Sequence, residues 1–133
     1  MSTEQLAERK TEIRKAAHAA RKAQADKEQV SVQITDRVMQ LPDYVAANCV
    51  MWYVDVRDEA RTRHALPAAL ASGKRIVIPY CVEGELELFH LESMDELETG
   101  MYKILEPRAE LRDVAAKRID VGSLDLILVP GVA

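Results

Sequence analysis

The sequence predicts an α/β fold with a mostly parallel sheet, in a single domain over residues 1–133. Three observations predict it. The run 48–56, NCVMWYVDV, is rich in β-branched and aromatic residues and reads as a strand buried on both faces, as parallel strands are. A second such strand, RIVIPYCV, covers 75–82, and the segment between the two is helical. Residues 48–82 therefore spell β-α-β, a crossover that is almost always right-handed. A third apolar strand, LDLILV, covers 124–129 and is closed by Pro130-Gly131.

The remaining elements follow in order. The first 23 residues read as an amphipathic helix capped by Thr3, with Glu4 and Glu8 near its positive end and Leu6, Ile13, Ala17 and Ala20 on one face. Asp26 offers a second N-cap. The helix after it carries Val30, Ile34, Val38 and Leu41 on one stripe, and Pro42 stops it. Thr62 caps the crossover helix RHALPAALAS, in which Pro67 removes a donor and kinks the first turns, and Gly73 takes the C-terminal glycine position. Residues 85–90 alternate as a half-exposed strand, with Leu86 and Leu88 on one side. The stretch 92–117 is polar and weakly patterned and reads as turns with short helices. No repeat, low-complexity tract or inter-domain linker breaks the chain. An apolar strand near position 129 with no cover after it is a liability. The domain is accordingly expected to be the N-terminal part of a longer one, incomplete at its C-terminus; the alternative is a sheet edge.

Composition narrows the function. Hydrophobic residues make up 48% and charged residues 30%, which suits a globular chain. Lys and Arg number 18 against 22 Asp and Glu, a net charge of −4 that argues against general binding to nucleic acid or to an anionic membrane. Cys49 and Cys81 lie in apolar runs and suggest reduced thiols. His18, His64 and His90 match no zinc spacing. The N-terminus MSTEQLAERK lacks an apolar signal core, and the longest uncharged run, 44–54, is too short for a bilayer span of ~20 residues. A cytoplasmic, monomeric protein is the expectation.

Candidate site residues are few. Lys10 and Arg14 are one helical turn apart on the edge of the first helix's apolar face, and Arg21 falls on the same stripe. Two convergent cations suit a polyphosphate, Arg as a fork and Lys as a point charge; a solvated basic face is the ordinary alternative. Glu59 follows the first core strand, the position where ligands meet open α/β sheets. Its carboxylate could hold an N–H-rich heterocycle, or favour the N-terminus of the helix that follows. Tyr102 lies in loop-like sequence and could stack on a planar ligand or cover the core. Ser72-Gly73-Lys74 closes a helix instead of opening one and is no phosphate loop, and no dinucleotide fingerprint or nucleophile elbow is present.

An ordered set of motifs then emerges: Lys10-x-x-x-Arg14, Arg21-Lys22, Leu41-Pro42-Asp43-Tyr44, Asp58-Glu59-x-x-Thr62, Gly73 to Pro79, Glu106-Pro107 and Asp125 to Gly131. In this order and spacing the chain resembles the 5-formyltetrahydrofolate cyclo-ligases, also called 5,10-methenyltetrahydrofolate synthetases. The resemblance implies a Rossmann-like three-layer α/β sandwich, dependence on ATP and Mg²⁺, and 5-formyltetrahydrofolate as substrate. It implies that residues 10–14 (Lys10, Thr11, Glu12, Ile13 and Arg14) form the first ATP-contacting segment, with Arg14 also near the folate. It implies that Val54 lines the pterin site, that Glu59 holds the pterin, and that Tyr102 and, more weakly, Leu86 lie close by. Two departures stand out. Lys103-Ile104-Leu105-Glu106-Pro107 replaces the family's usual Gly-Ile-Pro-Glu-Pro. The family's Arg-Leu-Gly-x-Gly-x-Gly-Tyr-Tyr-Asp run, which serves the phosphates and the metal, has no counterpart up to Ala133. Catalytic and metal-binding groups are therefore expected beyond this chain, and little turnover from it alone. The alternatives are a non-catalytic folate- or nucleotide-binding remnant, or a phosphosugar isomerase or CoA-handling protein of similar topology.

Overall fold

The structure, a computed structural model, describes residues 2–100 and 103–131. Helix α1 covers Thr3–Ala23. Its cap is Ser2, one residue before the expected Thr3: the Ser2 Oγ accepts from the Gln5 N–H at 3.1 Å, and the Gln5 Oε1 accepts from the Ser2 N–H at 2.9 Å. Gln5 decides the register, because only a residue three past the cap can close this reciprocal pair. No residue of α1 is buried.

Helix α2 covers Lys27–Gln40. Asp26 precedes it at φ 55° and makes no side-chain cap bond. The left-handed conformation, which Asp tolerates, turns the chain there in place of the extended backbone a capping residue usually adopts. The expected apolar stripe is only partly inward: Val38 packs on the core, while Ile34 and Leu41 are exposed. The buried residues of α2 are the hydroxyls Ser31 and Thr35. A polar loop lies opposite them, so the inward face is hydrogen-bonding in character. Pro42 ends α2 and also opens the short helix α3, Pro42–Ala46, where a missing N–H costs nothing.

Strand β1 is Cys49–Met51, shorter than the apolar run suggested. Helix α4, Leu66–Ala71, carries the crossover to β2, Arg75–Val82. Pro67 lies in the first turn of α4, so it breaks no helical hydrogen bond and no kink follows. Thr62 does not cap α4; Ala65 precedes the helix, and the Thr62 hydroxyl is engaged elsewhere. Gly73, at φ 84°, ends the helix in the left-handed conformation. Strand β3, Glu85–Leu91, returns antiparallel to β2 across Glu83-Gly84. Both turn residues have positive φ, 51° and 82°, the signature of a tight type I′ hairpin.

Strands β4, Leu97–Thr99, and β5, Leu105–Pro107, form a small antiparallel pair that the weak patterning of 92–117 concealed. The short helix α5, Ala109–Arg112, follows. Strand β6, Leu126–Ile127, lies parallel to β1. The Asp125 carboxylate fixes that pairing by accepting from the N–H groups of Asn48 and Cys49 at 2.9 and 3.0 Å. The main sheet therefore runs β3-β2-β1-β6, parallel except at the β3 edge.

Side chains alternate along strands, so Val50, Trp52, Ile76, Ile78, Phe89 and Leu91 share one face by register. All six are buried. Tyr44 meets Trp52 edge to face with centroids 6.0 Å apart, and Leu66 and Ala69 of α4 close the cluster. Truncating Leu66 to Ala would cost about 2–5 kcal/mol. Ile127 and Leu86 point to the opposite face and stay exposed. No helix among the described residues is long and apolar enough to cross a membrane. Cys49 is buried, Cys81 is exposed, and both are free thiols.

Candidate functional site

Because β1, β2 and β6 are parallel, the chain leaving β1 emerges at the carboxyl edge of the sheet. Residues 55–63 form a loop there that is held by its own polar groups. Asp55 and Thr62 are both buried. The Thr62 hydroxyl donates to the Tyr53 carbonyl at 2.7 Å and accepts from the Asp55 N–H at 3.2 Å. The Asp55 Oδ1 accepts from the N–H groups of Thr62 and Arg63 at 2.9 and 3.1 Å. The Tyr53 hydroxyl donates to the Ala60 carbonyl at 2.8 Å. Burial raises the Tyr53 pKa, and the Glu59 and Asp55 carboxylates add to the rise, so this phenol stays a donor. Helix α2 clasps the loop from outside: the Ser31 Oγ accepts from the Arg61 N–H at 2.8 Å, and the Thr35 hydroxyl lies 3.0 Å from the His64 Nε2.

Glu59 is half-buried on this loop. One carboxylate oxygen accepts from the Val56 N–H at 2.9 Å, which orients the group and leaves the second oxygen open. Its local duty is to close this turn; the first turn of α4 begins only at Leu66. Glu59 lines a groove of about 370 Å³ between α1, α2 and the 58–60 turn. The α1 wall is Ala17, Ala20, Arg21 and Gln24, and the α2 wall includes Val30, Ser31 and Ile34. At the mouth, Lys27 forms an ion pair with Asp58, and that ammonium holds the Asp58 carboxyl below its ordinary range.

The sequence-predicted residues divide at this groove. Lys10 and Arg14 are exposed on α1, seven residues before Ala17 and Arg21 respectively. Seven residues are two helical turns, so they continue the stripe that forms the groove wall, about 10 Å further along the axis. Ile13 adjoins them, 46% exposed. Thr11 and Glu12 turn elsewhere: the Thr11 hydroxyl donates to the Ala7 carbonyl at 3.0 Å, and Glu12 lies 3.8 Å from Arg9. Val54 does not line the groove; it packs between the two core clusters. Leu86 is exposed on the far side of the hairpin. Tyr102 lies outside the described residues. Sequence reasoning missed the Asp55–Thr62 network and the arginines around it. The signal was present in Asp55-Val56-Arg57-Asp58-Glu59-Ala60-Arg61-Thr62-Arg63, a dense charged run directly after a core strand. Among the described residues, no three His, Cys, Asp or Glu side chains converge as metal ligands.

An open, mostly parallel sheet with a groove beside the loop at its carboxyl edge defines an α/β domain of the kind whose ligands meet the strand ends. Residues 6–133 match the model of the 5-formyltetrahydrofolate cyclo-ligase family, and the chain belongs to that family. It is 31% identical over 106 residues to a probable 5-formyltetrahydrofolate cyclo-ligase of Schizosaccharomyces pombe, covering 77% of this chain and 50% of the relative. It is 27% identical over 109 residues to the 5-formyltetrahydrofolate cyclo-ligase of Escherichia coli K12, covering 80% of this chain and 58% of the relative. Its fold matches the NMR structure of Aquifex aeolicus 5,10-methenyltetrahydrofolate synthetase with a TM-score of 0.77 and 26% identity, over 93% of this chain and 61% of that one. The chain thus matches between 50% and 61% of the length of these proteins.

Proposed function

We propose that this chain supplies the folate-facing and helix-borne parts of a cyclo-ligase site that converts 5-formyltetrahydrofolate to 5,10-methenyltetrahydrofolate with ATP. The observation that carries the proposal is the groove in which Glu59 faces the α1 stripe that Lys10 and Arg14 continue. The open oxygen of Glu59 accepts from the N–H edge of a reduced pterin, and Ala17, Ala20 and Ile34 give the ring apolar walls. The exposed cations Lys10 and Arg14 draw the nucleotide's phosphates along α1, with Arg14 shared between nucleotide and folate. Thr11, Glu12 and Ile13 belong to that segment as backbone and helix surface. Tyr102 is proposed for the pterin side on the family resemblance alone, and Val54 stands behind the groove in the core.

The chemistry is phosphoryl transfer followed by ring closure. The formyl oxygen attacks the γ-phosphorus as the bond to the bridging oxygen breaks and ADP departs. N10 then bonds to the formyl carbon and gives up its proton to the departing phosphate as the carbon–oxygen bond breaks, so that phosphate leaves with the former formyl oxygen. The protein's work is to hold the two substrates in line and to stabilise charge on the transferred group. Mg²⁺ would neutralise phosphate charge, but the described residues do not fit as its holder. A cytoplasmic monomer acting on small molecules is part of the same proposal.

The test is 5-formyltetrahydrofolate binding to Glu59→Gln. A lost charge-assisted bond costs at least about 1 kcal/mol, roughly a fivefold loss of affinity, with little change in melting. Unchanged affinity would remove Glu59 from the site. Arg14→Ala should weaken ATP binding and leave the melting temperature in place, since Arg14 is exposed. A sharp fall in melting with ATP affinity intact would make Arg14 structural.

A further inference from the structure

A second concavity, of about 500 Å³, opens on the other side of the 57–61 turn and is lined by Glu28, Asp55, Arg57, Arg61, Arg63 and His64. Arg57 and Arg63 are shared with an adjoining cleft of about 280 Å³, to which Lys103 contributes a fourth cation. Three arginines thus line the concavity with two carboxylates, and Lys103 adds a cation in the adjoining cleft, in a chain whose net charge is −4.

The two carboxylates do not saturate the arginines. The Asp55 carboxylate is committed to backbone N–H groups of its own loop, and it stands 3.7 and 3.6 Å from the guanidinium nitrogens of Arg61 and Arg63, ion pairs beyond hydrogen-bond range. Glu28 reaches the Arg61 Nε at 3.5 Å and is itself 80% exposed. The Arg61 guanidinium is held in place by the carbonyls of Arg57 and Glu59, and that of Arg63 by the Asp55 carbonyl at 2.8 Å. The Arg63 Nε is buried and makes no hydrogen bond; its nearest acceptor is the Asp55 Oδ1 at 3.6 Å, so the outer nitrogens of the fork are the ones that can meet a ligand. Arg57 projects from a left-handed backbone at φ 52°, and among the described residues its guanidinium has no partner. Such strain persists where surrounding structure imposes it, here the tight turn that delivers Arg57 to the cleft.

We propose that Arg57, Arg61 and Arg63, with Lys103 beside them, form an oxyanion-binding site distinct from the cationic stripe of α1. Guanidinium forks match planar or tetrahedral groups with two or more anionic oxygens. The ligand chemistry is therefore a carboxylate pair or a phosphoryl group. Its two possible sources are the glutamyl tail of a folate seated at Glu59 and the phosphates of a nucleotide.

The experiment reads the site directly and then assigns the source. In the full chain, the Arg63 Nε–H resonance is followed by NMR during titration with inorganic tripolyphosphate and, separately, γ-linked triglutamate. A saturable shift with either probe is expected in the wild type and is expected to weaken at least tenfold in Arg57→Asn, where Asn tolerates the left-handed backbone. No shift with either probe, or an equal shift in Arg57→Asn, overturns the proposal whatever happens at Glu59. Affinities of Arg57→Asn for ATP, for 5-formyltetrahydrofolate and for the tail-less 5-formyl pterin then separate the sources. Loss confined to ATP assigns phosphate, and loss confined to the tailed folate assigns carboxylate. Loss for the tail-less pterin alone, or for none of the three, contradicts the site. If the wild type binds no pterin compound while the Arg63 shift stands, the Glu59 proposal fails and the oxyanion site survives.

Discussion

The two walls of the groove are built by opposite means. On one side, the 55–63 loop is locked by buried Asp55 and Thr62, 5% and 2% exposed, whose hydrogen bonds satisfy the loop's own backbone. On the other, α1 buries nothing, and its apolar residues Leu6 and Ile13 are each 46% exposed. Glu59 is therefore oriented before any ligand arrives, whereas Lys10 and Arg14 are placed by helix periodicity alone. The difference teaches where binding free energy is lost: ordering a long exposed side chain on association costs roughly 0.5–1.5 kcal/mol, and a residue already held escapes that cost.

Substitutions should expose this contrast. The largest effect is expected for Asp55→Ala. It removes the buried acceptor of two N–H groups and the carboxylate that Arg61 and Arg63 share, so unfolding free energy should fall by about 3–5 kcal/mol. An unchanged denaturation midpoint would mean that the loop is not held as described. Thr62→Val keeps the shape and loses both hydroxyl bonds, so a loss of about 1–3 kcal/mol should appear in the same measurement. On the α1 side, Ser2→Ala should cost only about 1 kcal/mol, seen as reduced helicity by circular dichroism. The smallest effect concerns the latch at the groove mouth. Lys27 holds the Asp58 carboxyl below its ordinary value of 3.8, so its contribution is present above that value and is lost as pH falls through the lower folded-state value. Lys27→Met should flatten the acid limb of stability against pH. An unaltered limb would show that the pair contributes nothing.

How far the sequence reveals this molecule depends on which forces set each element. The β-α-β unit and all of β2 are legible, because runs such as Arg75–Val82 have few alternatives to a buried strand. The β4–β5 pair is not, since three-residue strands carry too little periodicity. Thr62 looks like a helix cap by residue type, yet a hydroxyl satisfies whichever backbone group is nearest, and here that group is the carbonyl of Tyr53. The stripe on α2 misleads for a related reason: Ser31 and Thr35 face inward because the loop opposite them offers hydrogen-bonding groups. That Glu59 lies beyond the first core strand, where the groove opens, is legible from its position in the sequence. The groove is not, because it arises from how α1 and α2 diverge at Asp26, which turns on one left-handed residue.

Isotope-filtered NMR of the chain bound to 5-formyltetrahydrofolate reads the pterin's position without reference to turnover. Nuclear Overhauser contacts from the pterin ring to the methyl groups of Ala17, Ala20 and Ala60, which line the groove with Glu59, are the predicted result. A bound folate whose ring contacts none of these methyls would contradict the placement of the pterin in this groove.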